Sequence, residues 1–206
     1  MAERLVIVDY EAGNLHSVER AVAHLGAAFA TSSQAEEVAA ADRIIFPGVG
    51  ESASAMAVLR RTGMDQAMHE VRNAGRPMLG ICVGCQVVFE RSEERDAECL
   101  GLLPGSVLAF RPDRQHKVPH MGWNEVHFER PHPLVAGIPD DSMFYFVHSY
   151  YPAPQTPEVV VGSTPYGLQF GSIIAAENLA ATQFHAEKSG KWGLRLLDNF
   201  LRWSPS

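Results

Sequence analysis

An α/β fold with a central, mainly parallel sheet and helices on both faces is what this sequence predicts, and three features predict it. Short apolar runs without alternation recur in the first half, as expected of strands buried on both faces. Each run ends in a turn-rich loop, and helical spacing resumes after it. Strands alternating with helices imply right-handed crossovers, and hence parallel pairing.

In chain order, Leu5–Val8 is the first such run. Asn14 then suits a helix N-cap, and Leu15, Val18, Val22 and Leu25 recur at helical spacing until Gly26 stops them. Ser33 with Glu36 reads as a capping box for a second, shorter helix. Arg43–Phe46 is the next buried strand, closed by Pro47-Gly48-Val49-Gly50, with a helical stretch following through Met56 and Leu59. Pro77–Ile81 is the third strand, and Cys85 to Arg91 reads as helix. The second half differs. Segments around Val107–Phe110, Asn124–Phe128, Met143–Val147, Val159–Ser163 and Ile173–Ala176 suggest antiparallel additions and hairpins. Trp192 to Leu201 closes the chain as a helix with Leu194, Leu197, Phe200 and Leu201 on one stripe. With no repeat, low-complexity tract or linker, residues 1–206 read as one domain.

A chain of 206 residues buries a continuous core without covalent staples. Its formal net charge of −7 argues against nucleic-acid phosphates as a ligand, because those require a clustered positive surface. The basic stretch from Arg111 to Lys117 is interrupted by Asp113 and reads as a solvated loop. No secretory leader precedes the first strand, and no apolar run approaches the ~20 residues that span a bilayer. Three cysteines, an odd number, point to a reducing compartment. A soluble cytoplasmic protein is expected.

The segment richest in chemistry is Gly80-Ile-Cys82-Val-Gly84, between the third strand and its helix. A nucleophile on so tight a turn needs neighbours without side chains. The positive end of the following helix favours thiolate at Cys82. Other readings stay open. Cys82 also fits a buried structural thiol, which is the commoner fate of cysteine. Cys82-Val-Gly-Cys85 fits a redox dithiol, or half of a zinc site for which only Cys99 remains. Further along, Thr182-Gln-Phe-His185-Ala-Glu187 offers a base for a cysteine and a third group to fix the tautomer of that base. Residues two apart in extended chain point the same way, which sets Glu187 beside His185. Among nine histidines such a pair arises readily by chance, so it gains weight only beside the elbow. Pro47–Gly50 lets backbone N–H groups face inward as an oxyanion hole requires, and equally suits an ordinary turn.

Together these segments resemble the class I, triad-type glutamine amidotransferases, a flavodoxin-like α/β family. The shared marks are the elbow and Phe184-His185-Ala-Glu187. More narrowly, the chain is similar to the glutaminase subunits of imidazole glycerol phosphate synthase. That likeness rests on Asp9-Tyr10-Glu-Ala-Gly13-Asn14, Pro119-His120-Met121-Gly122-Trp123-Asn124, Tyr145-Phe-Val-His148-Ser149-Tyr150 and Glu187-Lys188-Ser189. Where those subunits usually carry Gly, Met and Pro, this chain has Glu11, Cys85 and Ala186. No triad member is lost, although Ala186 predicts a slightly looser His185–Glu187 geometry. Cys85, one helical turn from Cys82, also suggests a reversible, inactivating disulfide.

The resemblance implies a mechanism. Cys82 attacks the amide carbon of glutamine, and N–H groups of Val83 and of the Val49/Gly50 turn hold the oxyanion. His185, oriented by Glu187, protonates the departing ammonia and then activates water against a glutamyl thioester. It implies glutamine contacts at Gly50, Gln86, Glu94, Ser149 and Tyr150, and no metal or cofactor. Ammonia freed into neutral water is protonated and lost as a nucleophile, and no second domain for it is read in the chain. A partner is therefore implied: a (β/α)-barrel cyclase subunit in a heterodimer, with Asn14, Trp123 and Lys188 at or near the interface. The cyclase uses the ammonia to make imidazole glycerol phosphate and aminoimidazole carboxamide ribotide in histidine biosynthesis. By the same resemblance, the Val49 peptide must reorient for activity and the isolated chain is nearly inactive. The alternatives are a glutaminase subunit of another pathway and a Cys-x-x-Cys redox protein of flavodoxin-like fold.

Overall fold

The computed structural model describes residues 3–11, 15–112 and 114–205. The first half runs β1 (Leu5–Val8), α1 (Leu15–His24), β2 (Ala30–Ser32), α2 (Ala35–Ala39), β3 (Arg43–Gly48), α3 (Ser52–Thr62), α4 (Met64–Asn73), β4 (Met78–Cys82) and α5 (Val83–Val87). The second half adds β5 (Arg91–Ser92), β6 (Ala97–Glu98), β7 (Gly105–Ala109), β8 (His120–Phe128), β9 (Ser142–His148) and β10 (Tyr150–Pro154). It ends with β11 (Val160–Pro165), β12 (Gln169–Ala176), β13 (Leu179–Thr182) and α6 (Gly190–Arg202).

Among the described residues the main sheet has the order β2-β1-β3-β4-β13-β12-β11-β8-β9. From β2 to β13 every pairing is parallel, and from β13 to β9 every pairing is antiparallel. The parallel part has the doubly wound, flavodoxin-like order, so the predicted fold class holds. Strands β1, β3, β4 and β13 are buried at every residue, which is why their sequences do not alternate. Strand β8 alternates instead, with one face open to water and Met121 and Trp123 exposed on it. A smaller sheet, β10-β7-β5-β6, lies alongside. Helix α6 is buried along Gly193, Leu196, Leu197 and Phe200, so Leu194 and Leu201 flank the predicted stripe rather than centre it.

Two local expectations are corrected. Ser33 does not cap α2: the N-cap is Gln34, without a side-chain cap, and Ser32 Oγ accepts the Gln34 N–H at 3.1 Å. The turn is made by the last residue of β2, which shifts the helix start by one. Helix α5 ends at Val87, not Arg91. Backbone N–H groups of a following loop take the carbonyls instead, Leu100 to Val87 O at 2.9 Å, Leu102 to Val88 O at 2.9 Å and Gly101 to Phe89 O at 2.8 Å. Strands β2, β5, β6, β10 and β13 and helix α4 are additions to the sequence reading. The expected Asn14 N-cap lies outside the described residues, whereas Gly26 closes α1 in the left-handed region at φ 74° as expected.

Candidate active site

Cys82 ends β4 with φ 58° and ψ −107°, a conformation that L-residues rarely adopt and that costs about 1–3 kcal/mol. Both flanking glycines are sterically required. A Cβ on Gly80 would stand 2.5 Å from the Gly84 carbonyl oxygen, and one on Gly84 would stand 2.2 Å from the Phe46 carbonyl oxygen. Gly48 is held as closely: its Cβ would lie 2.4 Å from the Tyr10 hydroxyl and 2.9 Å from Val83 Cβ. The glycine turn after β3 thus packs directly on the elbow.

The base arrives on the neighbouring strand. Strand β13 runs parallel to β4, with Thr182 in register with Ile81, so its extension carries His185 to the end of the sheet that holds Cys82. The His185 backbone is clamped to β9. Its N–H donates to Tyr145 O at 3.0 Å, while Ser189 Oγ donates to His185 O at 2.6 Å and accepts the Tyr145 N–H at 3.0 Å. His185 Nδ1 lies 2.8 Å from Glu187 Oε1, and both side chains are fully enclosed. Nδ1 therefore donates to the carboxylate, and Nε2 is the ring nitrogen left for Cys82. Burial alone would depress this imidazole. Hydrogen bonding to Cys82 and Glu187, with their charges, outweighs that and raises its pKa to about 9. Ala186 separates His185 from Glu187 in the chain. It is buried beneath α6 so tightly that a Cβ on Gly193 would stand 1.9 Å from Ala186 O.

A cavity of about 310 Å³ opens over the sulfur, lined by Val49, Gly50, Cys82, Val83, Gln86, Glu94, Pro119, Val147, His148, Ser149, Tyr150 and His185. Every residue expected to act on or hold a small amide is in that lining except Glu187, which stands behind His185. Glu94 Oε2 accepts the Ser52 N–H at the start of α3 at 2.6 Å, leaving its other oxygen for the cavity. Gln86 is more committed than expected: both hydrogens of Nε2 are used, on Tyr150 O and Gln183 Oε1, each at 3.1 Å. Its Oε1 already accepts Ser52 Oγ at 3.3 Å and has one lone pair to spare. Trp123, 53% exposed, pairs across the hairpin with Tyr145, whose carbonyl holds the His185 N–H. Lys188 is exposed on the turn after Glu187, and Asn14 lies outside the described residues.

Cys85 is fully buried, and burial followed by the charge of Cys82 pushes its thiol well above the ordinary range. A reactive dithiol needs an accessible, acidic partner thiol, so the redox reading loses its second member. Among the described residues the group spaced to hold a metal is His127, Asp140 and Asp141, and no cysteine belongs to it. The half-zinc-site reading finds no further ligands there. Gln183, Ser189 and Tyr10 are site residues to which no role was assigned from sequence. The His185–Glu187 pair is made by a 3₁₀ turn over Ala186–Lys188 rather than by the two-residue extended period read from the sequence, and Gln183 stands on the bend before it, so no sequence period marks Gln183.

The model of the glutamine amidotransferase class-I family matches residues 6–203. The chain is 48% identical over 210 residues to imidazole glycerol phosphate synthase subunit HisH 1 of Pseudomonas aeruginosa, covering 98% of each. It is 47% identical over 198 residues to subunit HisH of Desulfitobacterium hafniense, covering 96% of this chain and 93% of that one. Among solved structures it is similar to PurLQS from Thermotoga maritima, with TM-score 0.72 and 18% identity over 98% of each chain. The glutaminase domain of CTPS from Trypanosoma brucei matches with TM-score 0.62 and 15% identity, covering 98% of this chain and 94% of that one. At those identities the two structures speak for the fold.

Proposed function

The chain belongs to the class I glutamine amidotransferases and, within them, to the HisH subunits of imidazole glycerol phosphate synthase, and from that premise we propose that Cys82, His185 and Glu187 carry out its hydrolysis of glutamine. The ammonia serves a separate cyclase subunit in histidine biosynthesis. The single observation that carries the residue assignment is the enclosed 2.8 Å His185–Glu187 pair, just beyond the strand that pairs with β4 and its strained Cys82.

His185 takes the Cys82 proton at Nε2, while Glu187 holds the resulting imidazolium through Nδ1. The sulfur attacks the amide carbon, a C–S bond forms, and the carbonyl pair moves onto oxygen. N–H groups of Val83 and of the Val49/Gly50 turn receive that oxyanion. When the pair returns, the C–N bond breaks and ammonia leaves with the proton from His185. His185 then deprotonates water, which attacks the thioester, breaks C–S and frees glutamate. Glu94 receives the substrate ammonium, with Gly50, Gln86, Ser149 and Tyr150 completing the glutamine site. We place Trp123 and Lys188, with Asn14, at the cyclase interface of a heterodimer. Residues 1–206 form one amidotransferase domain, a reading supported by the family match over 6–203. No helix among the described residues is long and apolar enough to cross a membrane, and a cytoplasmic setting fits the three unpaired cysteines.

The test is ammonia release from glutamine with and without the cyclase subunit, with Cys82→Ala as control; activity that survives in Cys82→Ala refutes the assignment. Glu94→Gln should raise KM for glutamine by about tenfold with little change in kcat, because the amide still serves Ser52 but no longer pairs a cation. A kcat loss at constant KM would contradict that role. The raised His185 pKa also sets a stability window. The ordinary value is 6.5 and the folded value about 9, so the contribution is full below 6.5 and disappears as pH rises through about 9. Melting curves of wild type and His185→Gln should therefore converge across that interval, and a constant difference at every pH would show that the site holds no imidazolium.

A further inference from the structure

We propose that Gln183 is a further catalytic residue, whose side-chain amide donates to Cys82 Sγ and holds the sulfur as a thiolate poised for attack. The inference rests on Cys82 being the nucleophile. Gln183 is fully buried on the step between β13 and His185, with its backbone N–H on Ser172 O at 2.9 Å. Its Nε2 stands 4.0 Å from Cys82 Sγ, the outer range of an N–H···S contact.

What gives this contact its direction is the network behind it. Gln183 Oε1 accepts one Gln86 N–H, and the other Gln86 N–H goes to Tyr150 O. Tyr150 O also lies 2.7 Å from His148 Nδ1. Burial draws His148 down to about 3, so it is neutral, and a carbonyl partner makes Nδ1 its protonated nitrogen. His148 Nε2 is then an acceptor, supplied by His120 Nδ1 at 2.9 Å. Turning Gln86 over would set its carbonyl oxygen against Tyr150 O, and turning Gln183 over would set its NH2 against the NH2 of Gln86, in an interior where such groups go unsatisfied. The only arrangement without that conflict points the Gln183 N–H at the sulfur.

The chemistry follows from what faces Cys82. In the thiol form Sγ lies 4.0 Å from Val147 O, the acceptor for its S–H. Ionisation moves that proton from Sγ to His185 Nε2, so the Val147 contact is lost and the Gln183 contact gains a full negative charge. Charge-assisted hydrogen bonds are roughly twice as strong as neutral ones, so Gln183 favours the thiolate over the thiol. Lowering a thiol pKa raises the thiolate fraction more than it lowers nucleophilicity, because the Brønsted dependence is only about 0.4–0.5. The other titratable groups towards the sulfur are His185 with Glu187 behind it, Tyr10, Cys85, Glu94 and His148. Of these only His185 offers the thiolate a cationic donor, and Gln183 Nε2, at 4.0 Å, is the side-chain amide that faces the sulfur.

The experiment uses the full chain, with iodoacetamide as probe and peptide mass spectrometry to follow Cys82 across pH. Gln183→Met keeps the length and removes the donor; Gln183→Glu replaces the donor with oxygen. The alkylation midpoint should rise by about one pH unit in the first and further in the second. Glutaminase kcat/KM with the cyclase present should fall about tenfold near neutral pH at nearly constant KM, and the deficit should narrow as pH rises. A packing defect would lower activity equally at every pH. Folded variants with the wild-type midpoint overturn the proposal. Should both variants fail to fold, the wild-type Gln183 side-chain amide resonances must titrate with the alkylation midpoint, and pH-silent resonances overturn it. Activity surviving in Cys82→Ala would instead overturn the nucleophile assignment, independently of the alkylation result.

Discussion

Replacing Cys82 with glycine is expected to abolish glutamine hydrolysis and to leave a protein more stable than the Cys82→Ala variant. The activity loss should be about 10³-fold or more, since no other group near His185 can form the thioester. The stability difference comes from the backbone. At φ 58° and ψ −107° an alanine keeps the strain of the native residue, whereas glycine adopts the mirror-image extended region without cost. Relief of about 1–3 kcal/mol, less about 0.4–1 kcal/mol for the freer unfolded chain, leaves a net gain of about 1 kcal/mol. Calorimetric melting of both variants beside an ammonia assay decides the matter. A lower Tm for the glycine variant would mean that the elbow is not strained.

The second large effect concerns a residue that touches no substrate. Gly193→Ala would place a methyl 1.9 Å from Ala186 O, between the last helix and the turn that carries His185 and Glu187. Neither side can yield alone, because Ala186 is buried and α6 is fixed by Leu196, Leu197 and Phe200. Overpacking of this kind costs about 1–3 kcal/mol, and a backbone partner puts this case at the upper end. The turn should shift away from Cys82, so kcat should fall by about a hundredfold while glutamine binding persists. Equal kcat with a lowered Tm would show that α6 supports the fold without setting the catalytic geometry.

Much of this site was legible in the sequence because its constraints are steric. Gly80 and Gly84 have no alternative where a Cβ would meet backbone, and the pattern around Cys82 records that directly. The strands β1, β3 and β4 were legible because burial on both faces writes an unbroken apolar run. Strand β13 was not, although it delivers the base. Leu-Ala-Ala-Thr has little β propensity of its own, and its burial comes from β4 and β12 on either side. The reading of α5 failed for the opposite reason: Val88 and Phe89 continue an apolar pattern, but a loop from residue 99 to 103 takes the carbonyls that a longer helix would use. Gln183 had no chemistry of its own, since an amide becomes directional only once Gln86, Tyr150 and His148 surround it. Glu11, where related chains usually have glycine, sits at φ 64° with its carboxylate held by Arg61 at 2.9 and 3.0 Å, so the position keeps a left-handed shape without the usual residue.

The pairing of β4 with β13 has a kinetic side. Cys82 and Gln183 are 101 positions apart, and the sheet joins them only after everything between has been threaded to the far edge and back. Loop closure over such a span is entropically unfavourable, and contacts of high sequence separation form slowly. The first half can assemble its local strand–helix units early, during synthesis, with Cys82 already on its turn but without a base. Amidase competence is then acquired near the end of folding, when the C-terminal strand slots in beside β4. A refolding experiment that follows ammonia release should lag behind one that follows helix formation, and a nascent or truncated chain would carry a thiol that does not hydrolyse glutamine.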